Sequence, residues 1–230
     1  MKVGVILFPD SESHRDVIAA FKEATKWDVV EIWHKDDSLK GADIVTLTGG
    51  YLNGACFNFQ DTPSPILQKV VEFANQGGYV WGIGDGFRAL CKLGLLPGSL
   101  LPNVGGRFVS KNIHLMPDSR QAAITWHLDS SMVFKVPIAH SVGRYVADAI
   151  ELSEMRQNGQ ILFRYCDRFG NLSVDYNPDG SIENIAGISN EGKNVFGMMA
   201  HPERAVLKSS GNRGGVPIFE SFQRFFRNRK

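Results

Sequence analysis

Residues 3–8 form a short continuous apolar run stopped by Pro9, the pattern of a strand buried on both faces. Beyond it, Ser11 or Ser13 can cap a helix in which Val17, Ile18, Phe21 and Thr25 share one face. Residues 29–33 and 44–47 read as two more buried strands, and Thr48-Gly49-Gly50 ends the second in a turn. A helix is predicted over about residues 65–76, with Ile66, Val70, Val71 and Phe73 as its apolar positions and Gly77-Gly78 as its stop. Residues 79–83 are the next strand, running straight into a helix at about residues 86–93. Strands alternating with helices at this spacing predict parallel βαβ units.

The second half changes character. Residues 107–116, 132–138, 161–166 and 194–199 have strand patterns, joined by turns such as Asn177-Pro178-Asp179-Gly180. Only residues 216–226 read as a long helix, and the basic group Arg224, Arg227, Arg229 and Lys230 falls at its end, where cations offset the helix dipole. No repeat, low-complexity tract or linker separates the halves, so a single domain over residues 1–230 with antiparallel additions is expected.

Composition narrows the possible roles. With 25 Lys and Arg against 24 Asp and Glu the formal charge is +1, which gives no support to a nucleic-acid or membrane-surface role. No apolar run approaches the length of a membrane span, and the first residues lead into a strand without a signal-peptide pattern. A cytoplasmic, reduced protein is expected. Cys56, Cys91 and Cys166 are too few and too scattered for a disulfide framework or a zinc site, and His14, His34, His114, His127 and His140 show no ligand spacing. Nothing calls for a metal or a cofactor.

The candidate chemistry lies at Gly82-Ile83-Gly84-Asp85-Gly86, where a predicted strand turns sharply into a helix. That is the geometry of a nucleophile elbow, in which one residue is held on a tight bend above the ends of parallel strands. Gly82 and Gly86 supply small residues two positions either side of Gly84. The run is not a dinucleotide fingerprint, which would need a glycine at Phe87. Taken alone, such a turn is more often structural than catalytic. The ordered series Phe8-Pro9, Thr48-Gly49-Gly50, Gly82-Ile83, Gly86-Phe87, Leu95-Leu96-Pro97-Gly98, Pro137-Ile138-Ala139-His140, Arg164-Tyr165, Asn177-Pro178-x-Gly180-Ser181, Ile185-Ala186-Gly187-Ile188 and Val195 through Arg204 resembles the PurQ family across almost the whole chain. PurQ proteins are the class I glutamine amidotransferase subunits of phosphoribosylformylglycinamidine synthase, in purine biosynthesis.

The resemblance implies a three-layer, flavodoxin-like α/β domain with a mostly parallel sheet and added antiparallel strands. It also implies a mechanism in which an elbow cysteine attacks the carboxamide of glutamine, a histidine moves the protons and a glutamate orients the histidine. His201 and Glu203, in His201-Pro202-Glu203, take the last two roles. Backbone N–H groups of Gly49, Gly50 and Asp85 are expected to face the oxyanion, and a synthetase subunit is the expected partner, receiving ammonia.

Here the chain departs from the family. The cysteine position is Gly84, which has no nucleophile; the family's Cys-Asn-Gly-Phe-Gln becomes Gly84-Asp85-Gly86-Phe87-Arg88. Arg88 cannot mimic the amide it replaces. The family's His-Gly-Glu-Gly is His140-Ser141-Val142-Gly143, residues 51–58 have lost the family's polar pattern, and residues 8–13 lack its Gly and Asn-Cys. Altered patches around one pocket read as natural loss of glutamine chemistry. Cys91 and Cys166 read as core or structural residues, which leaves Cys56 as the only candidate for a substitute nucleophile, though a sulfur moved to another loop would break alignment with the base. Asp85 and Arg88, three apart, are expected to pair, or else Arg88 binds an anion at the emptied pocket. The leading reading is a PurQ-like subunit without glutaminase activity. The rivals are an active subunit using Cys56, a small-molecule binding module in the old pocket, and a hydrolase in which His201 and Glu203 activate water.

Overall fold

A computed structural model describes residues 1–9, 11, 13–49, 51–52, 55–56 and 64–228. In chain order the elements are β1 (Lys2–Leu7), α1 (Ser13–Thr25), β2 (Asp28–Trp33), β3 (Ile44–Leu47), β4 (Tyr51–Leu52), β5 (Ala55–Cys56), α2 (Pro65–Asn75), β6 (Tyr79–Ile83) and α3 (Asp85–Lys92). There follow β7 (Ser99–Pro102), β8 (Val109–Pro117), β9 (Phe134–His140), β10 (Val142–Val146), α4 (Ala149–Gln157), β11 (Ile161–Cys166), β12 (Ile185–Ser189), β13 (Val195–Met198) and α5 (Val216–Arg227).

Among the described residues the main sheet has nine strands in the order β2-β1-β3-β6-β13-β12-β11-β8-β9. The pairings from β2 through β13 are parallel, and those from β13 through β9 are antiparallel. Alternate residues of the parallel strands go to opposite faces, and both faces are covered. Val3, Val5, Trp81 and Ile83 pack with Phe21 of α1 and Phe219 and Phe222 of α5. Ile6, Val45 and Val80 pack with Ile66 and Val70 of α2 and Phe87 and Leu90 of α3. The layers are therefore helix, sheet, helix, and the burial of both strand faces explains why these runs are continuously apolar.

The one strand of the parallel half that differs from its expected environment is β2. Among the described residues it lies at the sheet edge, paired only with β1, and of its six residues Ile32 alone is fully buried. An apolar run does not distinguish an edge strand from a central one, because the number of neighbours is a tertiary property.

The sequence pattern does not reveal β7, β10, β12 or α4. Among the described residues β7 and β10 pair only with each other, in a separate two-stranded sheet, and are short. α4 buries only Leu152 and Met155, too few positions to show a helical period. Its start is fixed instead by a capping box: Asp148 accepts from the Ile150 and Glu151 N–H groups, and the Glu151 carboxylate accepts from the Asp148 N–H. At Asn177 the expected turn is held by its side-chain oxygen, which accepts from the N–H groups of Gly180 and Ser181.

Candidate active site

β6 and β13 are parallel neighbours, with Ile83 opposite Met198, so the segments that follow them leave the sheet side by side at its carboxyl edge. The Gly84 N–H donates to the Met198 carbonyl at 2.9 Å, tying the elbow to the strand that leads into His201. At Gly84 the backbone takes φ +59° and ψ −121°. This is a conformation that side-chain-bearing residues adopt only under strain. The sharp turn thus has its elbow geometry, with glycine at the apex.

His201 fills the space beside that apex. A Cβ built on Gly84 would lie 2.9 Å from His201 Cε1 and 3.4 Å from its Nε2. On its other side the ring is held by Glu203: Nδ1 and Oε1 are 2.7 Å apart, and the Glu203 side chain is fully buried. With Nδ1 held by a carboxylate, the ring turns its other edge, Cε1 and Nε2, toward Gly84. The His201 N–H donates to the Pro137 carbonyl at 2.8 Å, which fixes the start of the short 3₁₀ turn carrying Glu203. Arg204, next in the chain, places its Nε 3.4 Å from a carboxylate oxygen of Asp16 on α1.

A cavity of about 400 Å³ opens over the elbow. Its wall includes Gly49, Gly84, Asp85 and His201, which the sequence placed at the site. Arg88, also placed there, is not on that wall. Its guanidinium is 3.1 Å from Asp85 Oδ1, so the two residues pair across the first turn of α3, and that geometry gives no support to an anion held by Arg88. Gly50 and the Cys56 side chain lie outside the described residues. Cys91 is half-buried against the Pro97 carbonyl, and desolvation pushes its thiol up to about 12, which suits a structural residue and not a nucleophile. Cys166 is buried at the end of β11, its thiol also raised by burial, to about 11.

Residues 140–142 of the altered patch do lie on the cavity wall, but the residue pattern did not show the polar network behind His140. The Asn103 amide donates to the carbonyls of Arg107 and His140, so its Oδ1 is the acceptor for the Gly143 N–H and for His140 Nδ1. On the far side Asp179 accepts from the hydroxyls of Tyr165 and Ser181, with His140 Nε2 at 3.6 Å. Burial, with His201 nearby adding to it, holds the His140 imidazole down to about 4, and burial raises the Asp179 carboxyl.

A histidine kept neutral by burial makes the fold sensitive to acid. The unfolded imidazole takes up a proton near pH 6.5, whereas the folded one does so only near 4. Its contribution is complete above pH 6.5 and is lost as pH falls from there through 4. Thermal melts at pH 7 and 4.5 are expected to show a larger drop for the parent than for His140→Gln. Equal drops would mean that His140 does not carry the effect.

Known proteins resemble this chain over almost its whole length. The family model for the CobB/CobQ-like glutamine amidotransferase domain matches residues 1–229. The phosphoribosylformylglycinamidine synthase subunit PurQ of Aquifex aeolicus is 41% identical over 229 residues, covering 96% of this chain and 98% of the relative. The chain belongs to the PurQ family. PurQ proteins of Koribacter versatilis and Synechocystis sp. are each 40% identical, over 227 and 224 residues. The structure of PurLQS from Thermotoga maritima contains a chain that superposes with a TM-score of 0.80 at 29% identity, covering 98% of both chains. The glutaminase domain of Trypanosoma brucei CTPS, with bound acivicin, has a TM-score of 0.62 at 10% identity and shares the fold alone. The flavodoxin-like amidotransferase architecture is that of this PurQ-family chain. Among its described residues no helix is long and apolar enough to cross a membrane, and no group of three or more His, Cys, Asp or Glu could hold a metal.

Proposed function

We propose that the chain is a PurQ-type subunit of a phosphoribosylformylglycinamidine synthase that has lost the hydrolysis of glutamine. The observation carrying this reading is Gly84: the elbow and the His201–Glu203 pair are in place, but the apex offers no atom that can attack a carboxamide. Aligned base and orienter without a nucleophile give transition-state positioning only, and no acyl-enzyme can form. The partner is a synthetase subunit, as the PurQ and PurLQS names of the relatives imply, and such a reaction belongs in the cytoplasm.

The role left to a subunit of this kind is structural: it completes the synthetase assembly, while ammonia reaches the synthetase from elsewhere. Co-expression with the synthetase subunit from the same genome tests this. The two are expected to co-purify as a complex that makes product from free ammonia and not from glutamine. Failure to form any complex would remove the subunit reading. Product formed from glutamine would restore the enzyme reading and direct attention to Cys56.

A further inference from the structure

Nucleophile elbows stabilise an oxyanion at two points: the N–H of the residue after the nucleophile, and an N–H from the loop following the neighbouring strand. In this chain those points are Asp85, the first residue of α3, and the segment that opens after β3 at Thr48 and Gly49. The Asp85 carboxylate lies beside the second of them. A Cβ built on Gly49 would sit 3.3 Å from Asp85 Oδ2 and 3.3 Å from Asp85 Cβ, so the Asp85 side chain rests directly on Gly49. Asp85 is also part of the cavity wall, whereas its partner Arg88 is not.

We propose that Asp85 is a specificity-determining residue of this cavity, a built-in anion beside the oxyanion position that closes the site to acyl-oxyanion chemistry independently of the missing thiol. The inference rests on the glutaminase-inactive reading above and adds a second, separable cause to it. Three local features hold the carboxylate there. The first turn of a helix has free N–H groups and the positive end of the dipole, both favouring an acidic side chain. Arg88, one turn on, fixes the rotamer through Oδ1 at 3.1 Å, with both side chains nearly enclosed at 12% and 13% exposure. Gly49, having no side chain, leaves the room that Oδ2 uses. Charge developing on a substrate oxygen within a few ångströms of this group is repelled where the same backbone donors would otherwise stabilise it.

The test compares Gly84→Cys with the double variant Gly84→Cys/Asp85→Asn. The introduced thiolate displaces iodide from either iodoacetamide, which is neutral, or iodoacetate, which carries a carboxylate. The ratio of the two rates cancels differences in thiol reactivity and reports the charge that a reagent meets at the elbow. Removing the Asp85 charge is expected to raise the iodoacetate-to-iodoacetamide ratio about tenfold. In the natural Gly84 background, formate titrations followed through the amide shifts of Gly49 and Gly84 are expected to show about tenfold tighter binding for Asp85→Asn than for the parent. That second measurement decides the matter if the cysteine variants do not fold. An unchanged ratio, or an unchanged formate affinity, would overturn the role of Asp85. Glutaminase turnover by the unmodified protein would instead overturn the inactive reading, and neither charge measurement depends on turnover.

Discussion

Incubated with glutamine, with or without a synthetase subunit, the purified protein is expected to release ammonia and glutamate roughly a million-fold more slowly than an active relative. Deleting a triad nucleophile leaves only what oxyanion stabilisation and binding can supply, and here the apex residue is a glycine. Gly84→Cys alone is not expected to restore the reaction. At φ +59° and ψ −121° the new cysteine would carry the strain of an elbow apex, about 1–3 kcal/mol, which elbow nucleophiles also bear. The new Cβ would also meet His201 Cε1 at 2.9 Å, closer than carbon atoms pack, so the imidazole must move off the position from which it acts. Displacements of about 1 Å at a reacting centre cost on the order of a hundredfold in rate. Val142 puts an apolar side chain on the cavity wall where the resemblance implies a carboxylate, and Asp85 opposes the oxyanion. Release of ammonia is the measurement. Turnover in the unmodified protein would sink the inactive reading, and full recovery in Gly84→Cys would show that the glutamine pocket has survived intact.

A second large effect is expected at Gly86, where packing rather than chemistry is at stake. A Cβ there would lie 2.0 Å from the Leu47 carbonyl oxygen and 2.6 Å from its carbon, both backbone atoms of β3. No rotamer change relieves such a contact; α3 has to move away from the sheet and take the elbow with it. Gly86→Ala is expected to destabilise the fold by at least about 3 kcal/mol, the upper part of the range for overpacked cores. In a chain of this size that lowers the melting temperature by roughly 10 °C. Gly94→Ala is the control. Gly94 has φ +69° but nothing within 4 Å of a built Cβ, so it isolates the conformational cost, about 1 kcal/mol. Equal melting temperatures for the two variants would show that β3 and α3 are not held at the separation described.

Much of the architecture was legible from pattern alone. The continuous apolar runs of β1, β3 and β6, with a helix between β3 and β6, mark a parallel sheet covered on both faces, because a strand with one wet face would alternate. The glycine at 82 marks a sharp strand-to-helix turn for a local reason as well: the bending chain brings the Gly86 backbone within 2.7 Å of where its Cβ would be. The order of motifs along the chain then identifies the family, and with it His201 and Glu203. Their pairing is local too, since residues two apart around a proline can meet without help from the rest of the fold.

What the sequence could not fix depends on which segments become neighbours. The position of β2 at the sheet edge, the pairing of β7 with β10, and the weakly amphipathic α4 are decided by strand order and packing, which leave little trace in short runs. The same holds at the site. Arg88 and Asp85 look alike on the sequence, both polar and both next to the elbow. Only the rotation of α3 against β3 sends the guanidinium off the cavity wall and sets the carboxylate on Gly49. His140 and Asp179, 39 residues apart by their numbers, face each other because β9 and the turn at residues 177–181 converge behind the cavity. The sequence alone determined the family, the parallel core and the missing nucleophile, all of which rest on residue identity and local spacing. The tertiary structure decided which charges face the vacant apex, because that depends on how separate elements are turned against one another.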